Sequence, residues 1–233
     1  MIRRAWIAGV FFVLGVTVGC ATTAPSIQGP VPTRLCEAAG AGDLEAIDRL
    51  IGEGASVSET DTAGNTPLHY AYYLGQEQAA ERLLVHGADT NLRNVDGLTA
   101  ADLREVARIE GLLTTAAALL DRQGEWIDAQ NARPIYEELK QDDPTLVTKA
   151  IVSRVAMNED RLRVLFLAVK LGISGSEEPL INLLESYGDV SMAEDYLNSG
   201  SATLYDGAKR WGNKRGYDIR TGSGSHRVFW ETF

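Results

Sequence analysis

The side chains best suited to nucleophilic, acid–base or metal chemistry in this 233-residue chain are few: His69, His86, His226, Cys20 and Cys36. No two of them stand at a spacing that would join them on one helix face or in one metal-binding loop. The sequence holds no His-x-Glu-x-x-His-like pair, no Cys-x-x-Cys pair, no Gly-x-Ser-x-Gly elbow and no glycine-rich phosphate loop. The acid pairs Glu137-Glu138, Asp142-Asp143 and Glu177-Glu178 fall at expected helix starts and turns, where carboxylates complement backbone dipoles and solvent. A catalytic centre needs titratable groups that converge on a nucleophile, metal or base. None is legible here, so no enzymatic activity, cofactor or metal is expected.

The histidines lead instead to the elements that carry them. His69 lies in Thr66-Pro67-Leu68-His69-Tyr70-Ala71, after the turn Asp61-Thr62-Ala63-Gly64. Thr66 can cap a helix with its hydroxyl, and Pro67 then sits at the first helical position, where a missing N–H costs nothing. The helix runs to Gly75, and a second carries Ala79, Ala80, Leu83 and Leu84 as far as His86-Gly87-Ala88-Asp89. Glycines where helices end suit the left-handed backbone that such positions need.

The pattern recurs at a period of 33. Moving back, Leu68 falls on Leu35, His69 on Cys36, Ala71 on Ala38, Gly75 on Gly42, Ala79 on Ala46 and Gly87-Ala88 on Gly54-Ala55. Moving forward, Gly64 falls on Gly97 and Thr66 on Thr99, with Ala100-Ala101-Asp102-Leu103 replacing the Pro-Leu-His-Tyr motif. Each unit has one apolar face too narrow to bury itself without neighbours, which is the logic of a stacked array. The chain resembles the ankyrin-repeat family over these units. At Cys36 the spacing favours a small buried residue over a redox or disulfide role.

The resemblance implies protein-partner binding through the turn tips and the inner helices, presented rigidly by the stack. Carried onto this sequence, the tip residues include Glu59, Thr60 and Asn65 in one loop and Arg93 and Asp96 in the next. The inner helix between them offers Tyr70, Tyr72 and Tyr73, of the type enriched in binding hot spots. Tyr70 and Tyr73 are the expected contacts, with Arg93 and Asp96 fixing orientation.

From residue 104 apolar residues keep helical spacing to Gly124, and Arg133-Pro134-Ile135-Tyr136 can be aligned as a degenerate fourth start. Short helices are expected around 146–155, around 162–172, around 179–188 and around 204–211. This half is weakly similar to HEAT-type helical repeats, and either a solenoid extension or a small closing bundle fits the pattern. Tyr217-Asp218-Ile219-Arg220, the Gly-Ser stretch 221–225 and the segment 226–230 have strand-turn-strand chemistry. The expected class is therefore all-α: an ankyrin α-solenoid of about three repeats, a C-terminal helical region and a short terminal β-hairpin.

The N-terminus reads Met1-Ile2-Arg3-Arg4, an apolar run over 5–19, then Cys20. A basic start and a short apolar run form a secretory signal. Thr17-Val18-Gly19-Cys20 resembles a bacterial lipoprotein lipobox, although Leu is usual where Thr17 stands. The resemblance implies lipidation of Cys20, a membrane tether, and outer-membrane sorting because Ala21 rather than Asp follows. The expected division is a signal peptide over 1–19, a tether over 20–32, ankyrin repeats over 33–124, a helical domain over 125–216 and a tail hairpin over 217–233.

Charge is unevenly spread. The net charge is −10, but residues 204–233 carry six Lys/Arg against three acids. The acidic body argues against nucleic acid as a partner. Two functions follow as expectations: a non-enzymatic envelope scaffold facing the periplasm that binds protein partners, or a structural component that binds peptidoglycan or another anionic polymer through the basic tail.

Overall fold

The structure, a computed structural model, describes residues 32–121, 124–157, 161–173 and 175–220. All regular elements among these residues are helices. The signal and lipobox expectations, including Cys20, lie outside them, as do His226 and residues 221–233 of the expected hairpin. Residues 217–220 are described and form no strand, so the terminal hairpin has no support. Two compact units divide the chain at Ala107 and Arg108.

In the first unit, α1 (Arg34–Ala41) and α2 (Leu44–Gly52) form one helix pair, and α3 (Pro67–Tyr73) and α4 (Glu77–Val85) the next. Both inner helices start on a threonine. Thr33 accepts from the Cys36 N–H, and Thr66 from the His69 N–H with Pro67 following it; such a cap is worth about 1 kcal/mol. Both stop on a left-handed glycine, with φ of +72° at Gly42 and +69° at Gly75. An L side chain is strained in that conformation, so glycine ends the helix and lets the chain reverse.

The two pairs stack, α1 on α3 and α2 on α4. The core between them is Leu35, Cys36, Ala38, Ala39, Ile47, Leu50, Leu68, Tyr70, Ala71, Ala79, Ala80 and Leu83. The alanines bring the helices close, and the leucines fill the space between layers. Cys36 is a buried free thiol, as its place in the repeat implies, and burial pushes its pKa up to about 11.

A third inner helix begins in the expected register. Thr99 and Asp102 cap one another: the Thr99 N–H donates to Asp102 Oδ2 (2.8 Å) and the Asp102 N–H to Thr99 Oγ1 (3.2 Å). His69 does the same for Thr66, whose N–H donates to His69 Nδ1 at 3.2 Å. Asp102 thus stands in for His69 one repeat later without loss of the cap. The helix then departs from the pattern. The residue one period after Gly75 is Arg108, and α5 (Ala100–Ala118) runs through it as one 19-residue helix. No glycine turn divides it into an inner and an outer helix.

In the second unit the helices after α5 are α6 (Ala129–Gln141), α7 (Pro144–Ala156), α8 (Arg161–Leu171), α9 (Glu177–Tyr187), α10 (Val190–Leu197) and α11 (Ala202–Arg215). Alternate helices pack: α6 on α8 and α8 on α10, α7 on α9 and α9 on α11. That makes two layers of helices, joined by the contacts of α7 with α8 and of α10 with α11. Long side chains tie helices together within and across these layers. The Tyr136 hydroxyl donates to the Lys170 carbonyl (2.7 Å), Arg161 Nε to Asp195 (2.7 Å) and the Tyr196 hydroxyl to the Leu180 carbonyl (2.8 Å).

Two expectations change here. Pro134, aligned with a helix start, lies inside α6, which begins more than a turn earlier on the Asp128 cap. Helix α10 had no counterpart in the sequence reading, because Val190–Leu197 is too short to show a period.

Candidate partner-binding face

The turn between successive helix pairs forms a finger, and each finger is built by one side chain that folds the turn back on itself. In the first, Asp61 Oδ1 accepts from the N–H groups of Ala63 and Asn65, both at 2.8 Å. Its Oδ2 accepts from Asn65 Nδ2 (3.0 Å) and from the Tyr70 hydroxyl (2.8 Å). Asp61 is buried, and these four donors replace the water that its charge has lost. In the second finger Asn94 Oδ1 takes the same place, accepting from the N–H groups of Asp96 and Leu98, both at 3.0 Å.

The fingers are joined. Asn94 Nδ2 donates to Asn65 Oδ1 (2.9 Å), and the Val95 N–H donates to the Ala63 carbonyl (2.9 Å). Beneath them His69 Nε2 meets the Leu98 carbonyl at 3.1 Å. A carbonyl only accepts, so Nε2 carries the proton and Nδ1 is the acceptor for Thr66. The ring is neutral, and burial holds its pKa below the usual histidine value.

This network decides where each expected contact residue stands. Tyr70 is a correction: it is only 3% exposed, and its hydroxyl is committed to Asp61. Desolvation raises its pKa, and the tyrosine braces the finger from inside rather than meeting a partner. Tyr72 is half-buried under the Arg104 guanidinium, 4.9 Å from the ring centroid, and Arg104 reaches Glu77 at 3.6 Å. Tyr73 is half-buried at the end of α3.

Glu59 and Asn65 are half-buried, and Thr60, Arg93 and Asp96 are exposed. Arg93 donates to the Gly97 carbonyl (2.6 Å) and lies 3.9 Å from Asp102, so it stiffens its own finger. Val95 stands at the tip, 73% exposed. The other described histidine, His86, caps the end of α4 and faces Asp48 at 3.2 Å, with Arg82 on the same carboxylate.

The sequence reading missed a third finger. The Asp121 N–H donates to the Glu125 carbonyl (2.9 Å), and Asp121 Oδ1 accepts from the Glu125 N–H (2.9 Å). Gly124 has φ +83°, matching +76° at both Gly64 and Gly97. Asp-x-x-Gly at 121–124 repeats Asp-x-x-Gly at 61–64, but it follows Asn94 too soon to fall on the repeat period. A search at a fixed period steps over it. Ile127 follows this finger, 67% exposed.

Among the described residues no group of three or more His, Cys, Asp or Glu is placed to hold a metal ion. No described helix is long and apolar enough to cross a membrane.

Comparison with known proteins agrees with this geometry. The family model for ankyrin repeats matches residues 35–131, in three copies. Protein phosphatase 1 regulatory subunit 27 of Homo sapiens is 41% identical over 69 residues, 30% of this chain and 45% of that protein. Ankyrin repeat domain-containing protein SAT10 of Stachybotrys chartarum is 38% identical over 66 residues, 28% of this chain and 3% of that protein. The chain therefore spans less than half the length of either relative. The solved ankyrin repeat domain of human ASB11 is 20% identical with a TM-score of 0.33, covering 83% of this chain and 90% of that one. Three fingers of one design, inside the segment that the family model matches, make residues 35–131 of this chain ankyrin repeats.

Proposed function

We propose that the chain is a non-enzymatic scaffold that captures a protein partner on its ankyrin fingers while a lipid on Cys20 tethers it in a bacterial envelope. The observation that supports capture is the hydrogen-bonded joint between Asn65, Asn94, Ala63 and Val95. It holds the exposed tips at Thr60, Val95 and Asp96 without any ordering on binding, which saves the entropy that a floppy loop would lose. Tyr73 and Tyr72 flank the fingers on α3, and Tyr70 drops out as a contact. The support for the tether is the sequence alone: a basic start, a short apolar run and Gly19-Cys20.

A crosslinking pull-down from envelope fractions tests capture, with the full chain as bait. Tyr73→Ala combined with Val95→Asp should lose the partner, whereas Tyr70→Phe should keep it, with unchanged helical circular dichroism in both. Equal recovery by all three baits would sink the finger reading. Metabolic labelling with an alkyne palmitate tests the tether: the label should enter the chain and vanish in Cys20→Ala. Label that persists in that variant would remove the lipid from the proposal and leave the fingers untouched.

A further inference from the structure

Helix α11 and the residues after it carry a local excess of positive charge. Over 202–220 there are five cations, Lys209, Arg210, Lys214, Arg215 and Arg220, against Asp206 and Asp218, in a chain whose net charge is −10. The apolar side of α11 (Leu204, Ala208, Trp211) is buried. Its solvent side carries Thr203, Asp206, Arg210 and Lys214 at helical spacing.

Local carboxylates answer only part of that charge. Lys214 and Arg215 share Glu185, at 3.4 and 3.0 Å, and Arg220 lies 3.2 Å from Asp218. Lys209 rests over the half-exposed Tyr205 ring at 5.8 Å, a cation on an aromatic face with no carboxylate among the described residues. Arg210 is exposed with no ion-pair partner among them.

The first unit has the opposite excess. Residues 32–107 hold thirteen Asp and Glu against five Arg and no Lys. Four of those arginines are already opposite Glu53, Asp48, Asp102 and Glu77. Glu37 on α1 and Glu59 before the first finger meet no cation among the described residues. Glu37 lies in the first turn of α1, and Glu59 lines an open cavity beside Thr33, Arg34 and Leu35 at the start of that helix. That cavity, of about 360 Å³, is lined by Leu35, Leu50 and Ala55 together with Glu53, Glu59 and Arg34.

We propose that the cationic face of α11 docks on the Glu37 and Glu59 side of the ankyrin unit in a second copy of this chain. Lys209, Arg210 and Lys214 face the acids, and the Tyr205 ring lies against the apolar wall of the cavity. The contact joins two different surfaces, so copies associate head to tail, as a ring where the rotation closes and as an open series where it does not. Attraction between exposed charges is screened over about 8 Å at physiological salt, which makes the association salt-dependent.

Sedimentation velocity of the full chain in mild detergent tests this. The weight-average mass should rise above that of the monomer with concentration at low salt, and the apparent dissociation constant should weaken by about tenfold or more at 0.5 M NaCl. Arg210→Glu with Lys214→Glu should leave monomer, and so should Glu37→Lys with Glu59→Lys. Mixing the two reversed chains should restore association, because each now complements the other; circular dichroism checks that both are folded. Monomer at all concentrations, or association indifferent to salt and to both reversals, would overturn the proposal. So would a wild-type chain that stays monomeric yet co-sediments with peptidoglycan through α11, since the basic face would then serve an anionic polymer.

Discussion

The second and third repeats start alike and end differently, and one residue accounts for the difference. Both begin on a threonine cap closed by the residue three positions on, His69 in one and Asp102 in the other. Both follow a finger closed by a polar side chain and a left-handed glycine. At the first helix end Gly75 turns the chain with φ +69°, and α4 folds back against α3. At the matching position Arg108 has no access to that conformation at low cost, and the helix continues to Ala118. The next finger, at Asp121, then arrives ahead of the repeat period. The repeat is thus separable into a start signal and a stop signal, and the third unit has only the first.

The largest effect expected from this comparison is at the fingers. Asp61 holds four donors from a buried position, whereas Asp121 is half-buried and closes its turn by accepting from the Glu125 N–H. Asp61→Ala leaves buried donors unpaired and should cost about 3 kcal/mol in urea unfolding, against about 1 kcal/mol for Asp121→Ala. Equal losses would mean that the inter-finger network does not distinguish the two.

The stop signal comes second. Gly75→Arg places an L side chain in the left-handed region and should cost about 1–2 kcal/mol. Arg108→Gly puts a glycine in mid-helix, about 1 kcal/mol, and also removes the guanidinium that Glu138 and Asp142 share. Both variants should therefore destabilise. A neutral Gly75→Arg would show that neighbours, and not the glycine, set the turn.

How far the sequence carried these conclusions follows from the same distinction. Thr66, Pro67, Gly75 and their periodic recurrence act through local backbone chemistry, so the first two repeats and the buried Cys36 were legible. The arginine at 108 was visible too, but its effect was not, since a missing stop leaves a periodic helix that looks like any other. The tyrosines were read by type and spacing. Only the structure shows that Tyr70 points its hydroxyl at Asp61, because that bond depends on how the finger folds over the helix. The second unit gave up its helices other than α10, but not their pairing, which rests on contacts between side chains far apart in the chain, such as Arg161 with Asp195.

The smallest effect separates the two caps by pH. His69 is neutral and buried in the fold, with its pKa held below the ordinary value by desolvation, whereas the unfolded chain binds a proton near pH 6.5. The unfolded state therefore takes up more protons as pH falls below about 6.5, and stability declines with it; above that pH the contribution is complete. Asp102 also has a lowered pKa, chiefly from the Thr99 N–H that it accepts, and its contribution is lost only as pH falls below the ordinary carboxylate range. The melting temperature of the full chain should thus fall between pH 7 and 5.5 through His69. His69→Gln keeps a neutral side-chain N–H for the Leu98 carbonyl and should flatten that window while leaving the acid limb below pH 4.5 in place. A slope that survives in His69→Gln would assign the near-neutral loss to another group.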